Sequence, residues 1–183
     1  MECISLATQN ISHGQVLEIS EPPHSATIKH WRRVIRGKFA GLFGAGAQSA
    51  AYWGGADNLT ASILFSFGEH VGMAVKLKTD LNELGKKNII KQKIKNYELW
   101  SPICFLLDEC MLDNQRLEIS KKIQNEADDP ETVNEILNLL KENDLTDMIK
   151  SEAEKELKLA KECLLNLEID TRPLLPLTQF SVI

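Results

Sequence analysis

The stretch that decides the fold covers residues 39–84 and reads FAGLFGAGAQSAAYWGGA followed by DNLTASILFSFGEHVGMAVKLKTDLNEL. No charged residue occurs from Phe39 to Ala56. Asp57-Asn58 is expected to end the preceding helix and to cap a second helix over about 59–84. The apolar residues of this second helix recur at helical spacing. The stretch therefore predicts that a helix entering from the preceding residues is followed, after a break, by a second helix with a broad apolar face.

The uncharged segment has two interpretations. Its length would allow a membrane span, but 11 of the 16 residues from Gly41 to Ala56 are Gly, Ala or Ser, so its hydrophobicity is weak. Its flanks also lack the aromatic residues that border membrane spans. Small residues four apart, at Gly37/Gly41 and Gly68/Gly72, let helix backbones approach closely. We favour a helix buried inside the protein, with a membrane hairpin as the alternative.

Helical patterns extend over the rest of the chain. Asp129-Pro130 combines an N-cap residue with a first-turn proline and marks the clearest helix start. A lysine-rich loop is expected around Lys91, Lys93 and Lys95, and no alternating strand pattern competes. The fold class is predicted to be all-α. The other predicted helices are Cys3–Ile19, one capped by Ser25 or Thr27, Leu99–Leu112, Glu131–Glu142, Asp147–Leu167 and Thr171–Phe180.

Charge is distributed unevenly over the 183 residues, a length that suits one domain. Residues 1–106 carry 12 Lys/Arg and 8 Asp/Glu, whereas residues 107–183 carry 9 and 18. The acidic second part is typical of a solvated helical surface. The basic first part could attract an anionic ligand, but it has no run of Lys/Arg dense enough for nucleic acid. Nucleic acid is therefore not an expected partner.

The cysteines and histidines point away from several chemistries. The four cysteines have no metal-ligand spacing, so neither a zinc site nor a disulfide framework is expected. Free thiols and the lack of a secretion signal at Met1 predict a cytoplasmic protein. His13, His24, His30 and His70 have no metal or catalytic spacing and are interpreted as ordinary surface or core residues.

Four charged residues remain as candidates for a functional site. Lys38 borders the uncharged segment, where it either extends its ammonium group to solvent or binds a phosphate group. Lys76, Asp80 and Glu83 share one helix face because they are four and three residues apart. An ordinary ion pair explains that face, but two carboxylates can also bind Mg²⁺ when a ligand supplies phosphate oxygens.

Five short motifs, in this order, resemble the C-terminal half of the trans-isoprenyl diphosphate synthases, also called polyprenyl synthetases. Members of that family typically show GQ, a lysine before a Leu-Phe pair, and two glycines ahead of an aspartate-rich motif. Arg172-Pro173-Leu174-Leu175 near the end is similar to the family as well. The five motifs are Gly14-Gln15, Trp31-xx-Val34-Ile35-xx-Lys38, Leu42-Phe43-xx-Gly46-Ala47, Gly68-xxx-Gly72-Met73-Ala74 and Thr79-Asp80-xx-Glu83.

The chain also departs from the family pattern. The family's first aspartate-rich motif, DDxxD, should precede Gly14-Gln15, and it occurs nowhere in this sequence. The second motif retains Asp80 and Glu83 where the family has three aspartates. Lys76 replaces a glutamine, and the family's loop lysine has two candidates here, Lys93 and Lys95.

The resemblance implies an antiparallel helical bundle of the isoprenoid synthase type, here an incomplete, C-terminal half. Residues 1–183 would form one partial domain, with residues 1–97 lining the active-site cavity and 98–183 forming acidic C-terminal helices. In the family, Mg²⁺ neutralises the diphosphate leaving group while an apolar pocket shields the carbocation from water. Lys38, Gln15 and Lys76 would then contact diphosphate, and Asp80 and Glu83 would bind Mg²⁺.

The function implied by the resemblance is a prenyltransferase that condenses an allylic diphosphate with isopentenyl diphosphate. Without the first motif, this chain is not expected to catalyse that reaction alone. Two alternatives stay open: a non-catalytic subunit of the family, and a divergent prenyltransferase acting on a peptide or aromatic acceptor. An incomplete bundle exposes apolar surface, so a homo- or hetero-oligomer is expected in each case.

Overall fold

The computed structural model describes residues 2–20, 27–96, 98–165 and 167–180. Over these residues the protein is all-α, as predicted, and contains no strand. A single π-helical turn, Arg36–Ala40, joins the second helix to the third, and a 3-10 helix, Arg172–Thr178, follows the last α-helix. The α-helices are α1 (Glu2–Ser20), α2 (Ile28–Ile35), α3 (Gly41–Trp53), α4 (Asn58–Glu83), α5 (Lys87–Lys95), α6 (Ser101–Glu109), α7 (Asp113–Asn125), α8 (Pro130–Glu142) and α9 (Leu145–Leu165).

Helices α3 and α4, separated by the predicted break at Asp57, form an antiparallel hairpin. The carboxylate of Asp57 caps α4 by accepting a hydrogen bond of 2.8 Å from Thr60 N. The two helices approach closely at Gly68, where a Cβ atom would lie 2.4 Å from the carbonyl oxygen of Phe43. The predicted close approach through small residues is therefore confirmed.

Helix α4 is the centre of the structure, since it packs against α3, α6, α9 and the π-helical turn. Eleven of its 26 residues are buried. The main hydrophobic core also includes the fully buried indoles of Trp31 and Trp100. Helix α9 packs its apolar side against α4, and it buries two carboxylates, Glu152 and Glu156, that the interpretation as a solvated acidic surface did not anticipate.

The uncharged segment is only partly buried. Gly41, Gly44, Ala45 and Ala51 of α3 are buried, whereas Trp53 is 95% exposed. Within the described part of the chain, no helix has the length and apolar character needed to cross a membrane. The membrane hairpin therefore has no support in the described helices.

Several sequence-based boundaries need correction. The expected lysine-rich loop is helix α5, because Ile90 and Ile94, four residues apart, are both buried. Helix α7 was not predicted, since its mostly polar sequence buries only three residues. The final segment forms a 3-10 helix rather than an α-helix, and Pro176 inside it cannot donate a backbone hydrogen bond. Thr27 caps α2 as expected, while Ser25 lies outside the described residues.

The cap of α8 gives a first test. Asp129 accepts a 2.9 Å hydrogen bond from Thr132 N, as its position before Pro130 predicts. We expect Asp129→Ala to lower the free energy of unfolding by about 1 kcal/mol in urea denaturation, because it leaves a first-turn amide without its partner. Glu142→Ala, at the exposed end of the same helix, is the control and should change stability by less than about 0.5 kcal/mol. Equal effects of both substitutions would contradict this role.

Candidate functional site

Lys38 lies on the π-helical turn between α2 and α3. Single π-helical turns are rare in proteins as a whole. Those that occur are frequently found at functional sites, where the extra residue disrupts the regular helical hydrogen bonds. The turn is fixed from one side by Trp31, Val34 and Ile35, which are buried on α2. The ammonium group of Lys38 forms a short ion pair with the carboxylate of Glu18. The Lys38 side chain nevertheless remains 36% exposed, so a ligand can reach it.

Helix α1 brings Gln15 and Glu18 to this turn. Gly14 makes the approach possible, since a Cβ atom there would lie 2.7 Å from the backbone nitrogen of Lys38. Gln15 Nε2 donates a 3.2 Å hydrogen bond to Glu18 Oε2, the atom that Lys38 also contacts. The structure thus places Gln15 and Lys38 around one carboxylate, Glu18, that was not predicted. The three-residue spacing of Gln15 and Glu18 on α1 was the available signal.

Asp80 lies at the junction of α4 and α6 and has no exposed surface. Its Oδ1 contacts Lys76 Nζ at 2.5 Å. Its Oδ2 accepts hydrogen bonds from Ser101 Oγ at 2.7 Å and from Ser101 N at 3.1 Å. Burial raises the pKa of Asp80 because it disfavours the charged form by more than the charge of Lys76 and the bonds from Lys76 and Ser101 favour it.

Glu83 lies one turn further along α4, where Lys93 Nζ of α5 is 3.2 Å from Glu83 Oε2. Lys93 also lies 3.0 Å from a carboxylate oxygen of Glu98. Burial lowers the pKa of Lys93, but the hydrogen bonds and charges of Glu98 and Glu83 outweigh it and raise the pKa overall. Of the two candidate loop lysines, the structure therefore places Lys93 beside the second motif. Lys95 instead pairs with Asp128 at 2.8 Å.

Comparison with known proteins shows to which family this chain belongs. The family model described as polyprenyl synthetase matches residues 1–158, most of the chain. The chain belongs to the polyprenyl synthetase family. Its sequence is 26% identical over 137 residues to a prenyl transferase of Cyanophora paradoxa, a match that covers 71% of this chain and 40% of that protein.

Solved structures share the fold of this polyprenyl synthetase chain. A polyprenyl synthase from Roseobacter denitrificans matches 99% of the chain with a TM-score of 0.84 and 22% identity. A decaprenyl diphosphate synthase from Rhodobacter capsulatus matches 97% with a TM-score of 0.78 and 23% identity. The chain spans 61% and 55% of those two proteins, respectively. The chain thus has the isoprenoid synthase fold and spans only part of the length of these relatives.

Asp80 and Glu83 of the second motif are engaged by side chains of this chain and do not present free ligand oxygens to a magnesium ion as they are placed. Mg²⁺ needs octahedral oxygen ligands and usually retains several of its waters. Asp80 is fully enclosed with both oxygens engaged, and Glu83 is beside Lys93. Across residues 2–20, 27–96, 98–165 and 167–180, no group of three His, Cys, Asp or Glu side chains is placed to bind a metal.

The contacts and burial of His30, His70 and three of the cysteines are described by the structure. His70 Nδ1 lies 2.7 Å from the buried carboxylate of Glu156, and His30 is buried at the start of α2. Cys104 is fully buried, and burial raises the pKa of its thiol far above the usual range. Cys104, Cys110 and Cys163 are free thiols. His24 and the side chain of Cys3 lie outside the described residues.

Proposed function

We propose that this chain is the prenyl diphosphate-binding half of a prenyltransferase of the polyprenyl synthetase type. The complete enzyme would condense an allylic diphosphate with isopentenyl diphosphate, and this chain alone would not. The observation that carries the proposal is the shared position of Gln15 and Lys38 at the π-helical turn. That residues 1–97 line the cavity, and that the protein is cytoplasmic, stay predictions.

Binding at this site would proceed by exchange of one anion for another. Lys38 already attracts the carboxylate of Glu18, and it is exposed enough for a diphosphate oxygen to replace that carboxylate. An ammonium group suits phosphate because it acts as a compact point charge. Gln15 Nε2 can donate to the same oxygen, since it already donates to Glu18. Magnesium chemistry, which neutralises a diphosphate leaving group in this reaction class, would belong to the complete enzyme.

A non-catalytic subunit is the second candidate, and one observation favours it. The four charged residues of the predicted site that could act on diphosphate or metal each have a partner inside the chain: Lys38 with Glu18, Lys76 and Asp80 with each other, and Glu83 with Lys93. A chain with these pairs could support a catalytic partner without binding substrate itself. Among the described residues, no contact favours the divergent prenyltransferase with a peptide or aromatic acceptor.

We also propose that the chain works in an oligomer, homo- or hetero-oligomeric. Several large apolar side chains on two helices that contact each other, α1 and α3, face solvent. Val16 and Ile19 are 63% and 74% exposed at the end of α1, and Leu42 and Phe43 are exposed at the start of α3. Large apolar side chains exposed on two helices that contact each other favour coverage by another polypeptide.

Binding of farnesyl diphosphate, measured by isothermal titration calorimetry, tests the function. We expect the chain to bind this ligand, and Lys38→Ala to weaken binding about tenfold, equivalent to about 1.4 kcal/mol. Lys158→Ala removes an exposed lysine from α9 and is the control that should leave binding unchanged. Mixing the chain with isopentenyl diphosphate and farnesyl diphosphate should give no elongated product. If the folded chain binds no farnesyl diphosphate, the non-catalytic subunit replaces the proposed function.

A further inference from the structure

Asp80 makes contacts that leave no room for a metal ion. One carboxylate oxygen contacts the ammonium group of Lys76, and the other accepts two hydrogen bonds from Ser101. The bond from Ser101 N matters for the fold, because Ser101 is the first residue of α6 and its amide has no partner within that helix. Asp80 therefore joins α4 to the start of α6.

Glu83 is the second carboxylate of the motif, and it has its own cation. Lys93 lies within 3.2 Å of Glu83 and 3.0 Å of Glu98, and its side chain is only 13% exposed. The two carboxylates compensate the charge of this partly buried lysine, and removing either carboxylate charge would leave the ammonium group less compensated. Each carboxylate of the motif is thus matched by a lysine that the same chain supplies.

We infer that Lys76 and Lys93 occupy the role that a divalent cation has at such carboxylates, so that Asp80 and Glu83 bind no metal ion and ligand binding by this chain is independent of magnesium. That Asp80 and Glu83 lie beside a bound diphosphate rests on the proposed function. That these two carboxylates bind no metal does not depend on it. A metal ion bound to Asp80 would lie within a few ångströms of the Lys76 ammonium group, and two such charges repel strongly where water is excluded.

The pairing also explains the lysine at position 76. A lysine four residues before Asp80 is on the same helix face, and its side chain is 18% exposed against none for Asp80. The lysine therefore covers the carboxylate from the solvent side. A neutral side chain at position 76 would leave Asp80 Oδ1 without this partner and would open it to a cation.

The inference is tested by measuring how much Mn²⁺ the full chain binds. The electron paramagnetic resonance signal reports the free ion, and the titration is done once without and once with inorganic diphosphate. Mn²⁺ replaces Mg²⁺ because both prefer oxygen ligands. We expect the unmodified chain, Asp80→Asn and Glu83→Gln to bind the same amount of Mn²⁺, since any binding to the acidic C-terminal helices is common to all three. A binding step present in the unmodified chain and lost in either variant would overturn the inference.

The double variant Lys76→Gln/Lys93→Gln supplies the converse test. We expect it to gain a Mn²⁺-binding step about tenfold tighter than that of the unmodified chain, equivalent to about 1.4 kcal/mol. Lys158→Gln/Lys161→Gln, with the same change of charge on α9, is the matched control. If the folded double variant gains no more than this control, the lysines do not exclude metal and the inference fails. Farnesyl diphosphate affinity should be unchanged by Mg²⁺, and loss of all such binding would concern only the proposed function.

Discussion

Gly68→Ala is expected to lower the free energy of unfolding by about 1–3 kcal/mol, the range for overpacking a closely packed core. The added Cβ would lie 2.4 Å from the carbonyl oxygen of Phe43 and 2.9 Å from the Cα of Gly44. Both are backbone atoms of α3, so no side-chain rotation relieves the contact. The two helices would have to move apart, and the residues buried between them would lose contacts.

Gly46→Ala is the control for this substitution. Gly46 lies in α3, and a Cβ atom there would meet nothing within 4 Å. Alanine should therefore stabilise the protein by about 0.5–1 kcal/mol through its higher helix propensity. Urea denaturation followed by circular dichroism measures both variants. If Gly68→Ala is as stable as the unmodified chain, the close approach of α3 and α4 is not a feature of the protein in solution.

Glu156→Ala is the second substitution with a large expected effect, a loss of about 3 kcal/mol in the free energy of unfolding. The Glu156 side chain is 1% exposed and accepts bonds from Arg32 at 2.9 Å on α2 and from His70 at 2.7 Å on α4. Its removal leaves His70 without its carboxylate partner and Arg32 with Glu152 in place of two carboxylates, so α9 loses one polar contact to each of α2 and α4. Glu154→Ala, two residues earlier and exposed, should change stability by less than about 0.5 kcal/mol.

The effect of Glu156→Ala should also depend on pH. Burial alone would raise the pKa of Glu156, but the hydrogen bond and charge of His70, with the charges of Arg32 and Arg36, outweigh it and lower the pKa below its ordinary value of 4.5. A carboxyl group with a lowered pKa contributes stability above its unfolded pKa and loses that contribution as pH falls toward its folded pKa. The stability difference between the unmodified chain and the variant should therefore be largest above about pH 5 and shrink below pH 4.5. A difference that grows on acidification would contradict this assignment.

Local sequence signals predicted much of the fold. The caps at Asp57 and Asp129 act between residues three positions apart, so the sequence contains both partners. The apolar spacing in residues 59–84 likewise indicated the buried face of α4. Helix α7 was not predicted because it lacks such a local signal. Its polar sequence has little periodic apolar pattern, and its placement depends on its packing against α6 and α8.

The site was predictable only in part. The resemblance predicts that Gln15 and Lys38 belong to one diphosphate site, and the structure places both around the carboxylate of Glu18. The assignment of Asp80 and Glu83 to magnesium followed from the motif alone and stays untested. The motif could not reveal that Ser101 and Lys93 engage these carboxylates, because each lies in a different helix.

The sequence by itself determined the all-α fold class, the membership of the polyprenyl synthetase family and the helix starts at Asp57 and Asp129. These properties depend on spacing and on interactions between neighbours in the chain. Only the tertiary structure decided which partners the buried charged groups have. Arg32 and its partner Glu156 are 124 residues apart, and Asp80 and its hydrogen-bond donor Ser101 are 21 residues apart. The physical reason is that a buried charge is stable only beside an opposite charge or a hydrogen-bond donor, and helix packing rather than local spacing decides which partners are within reach.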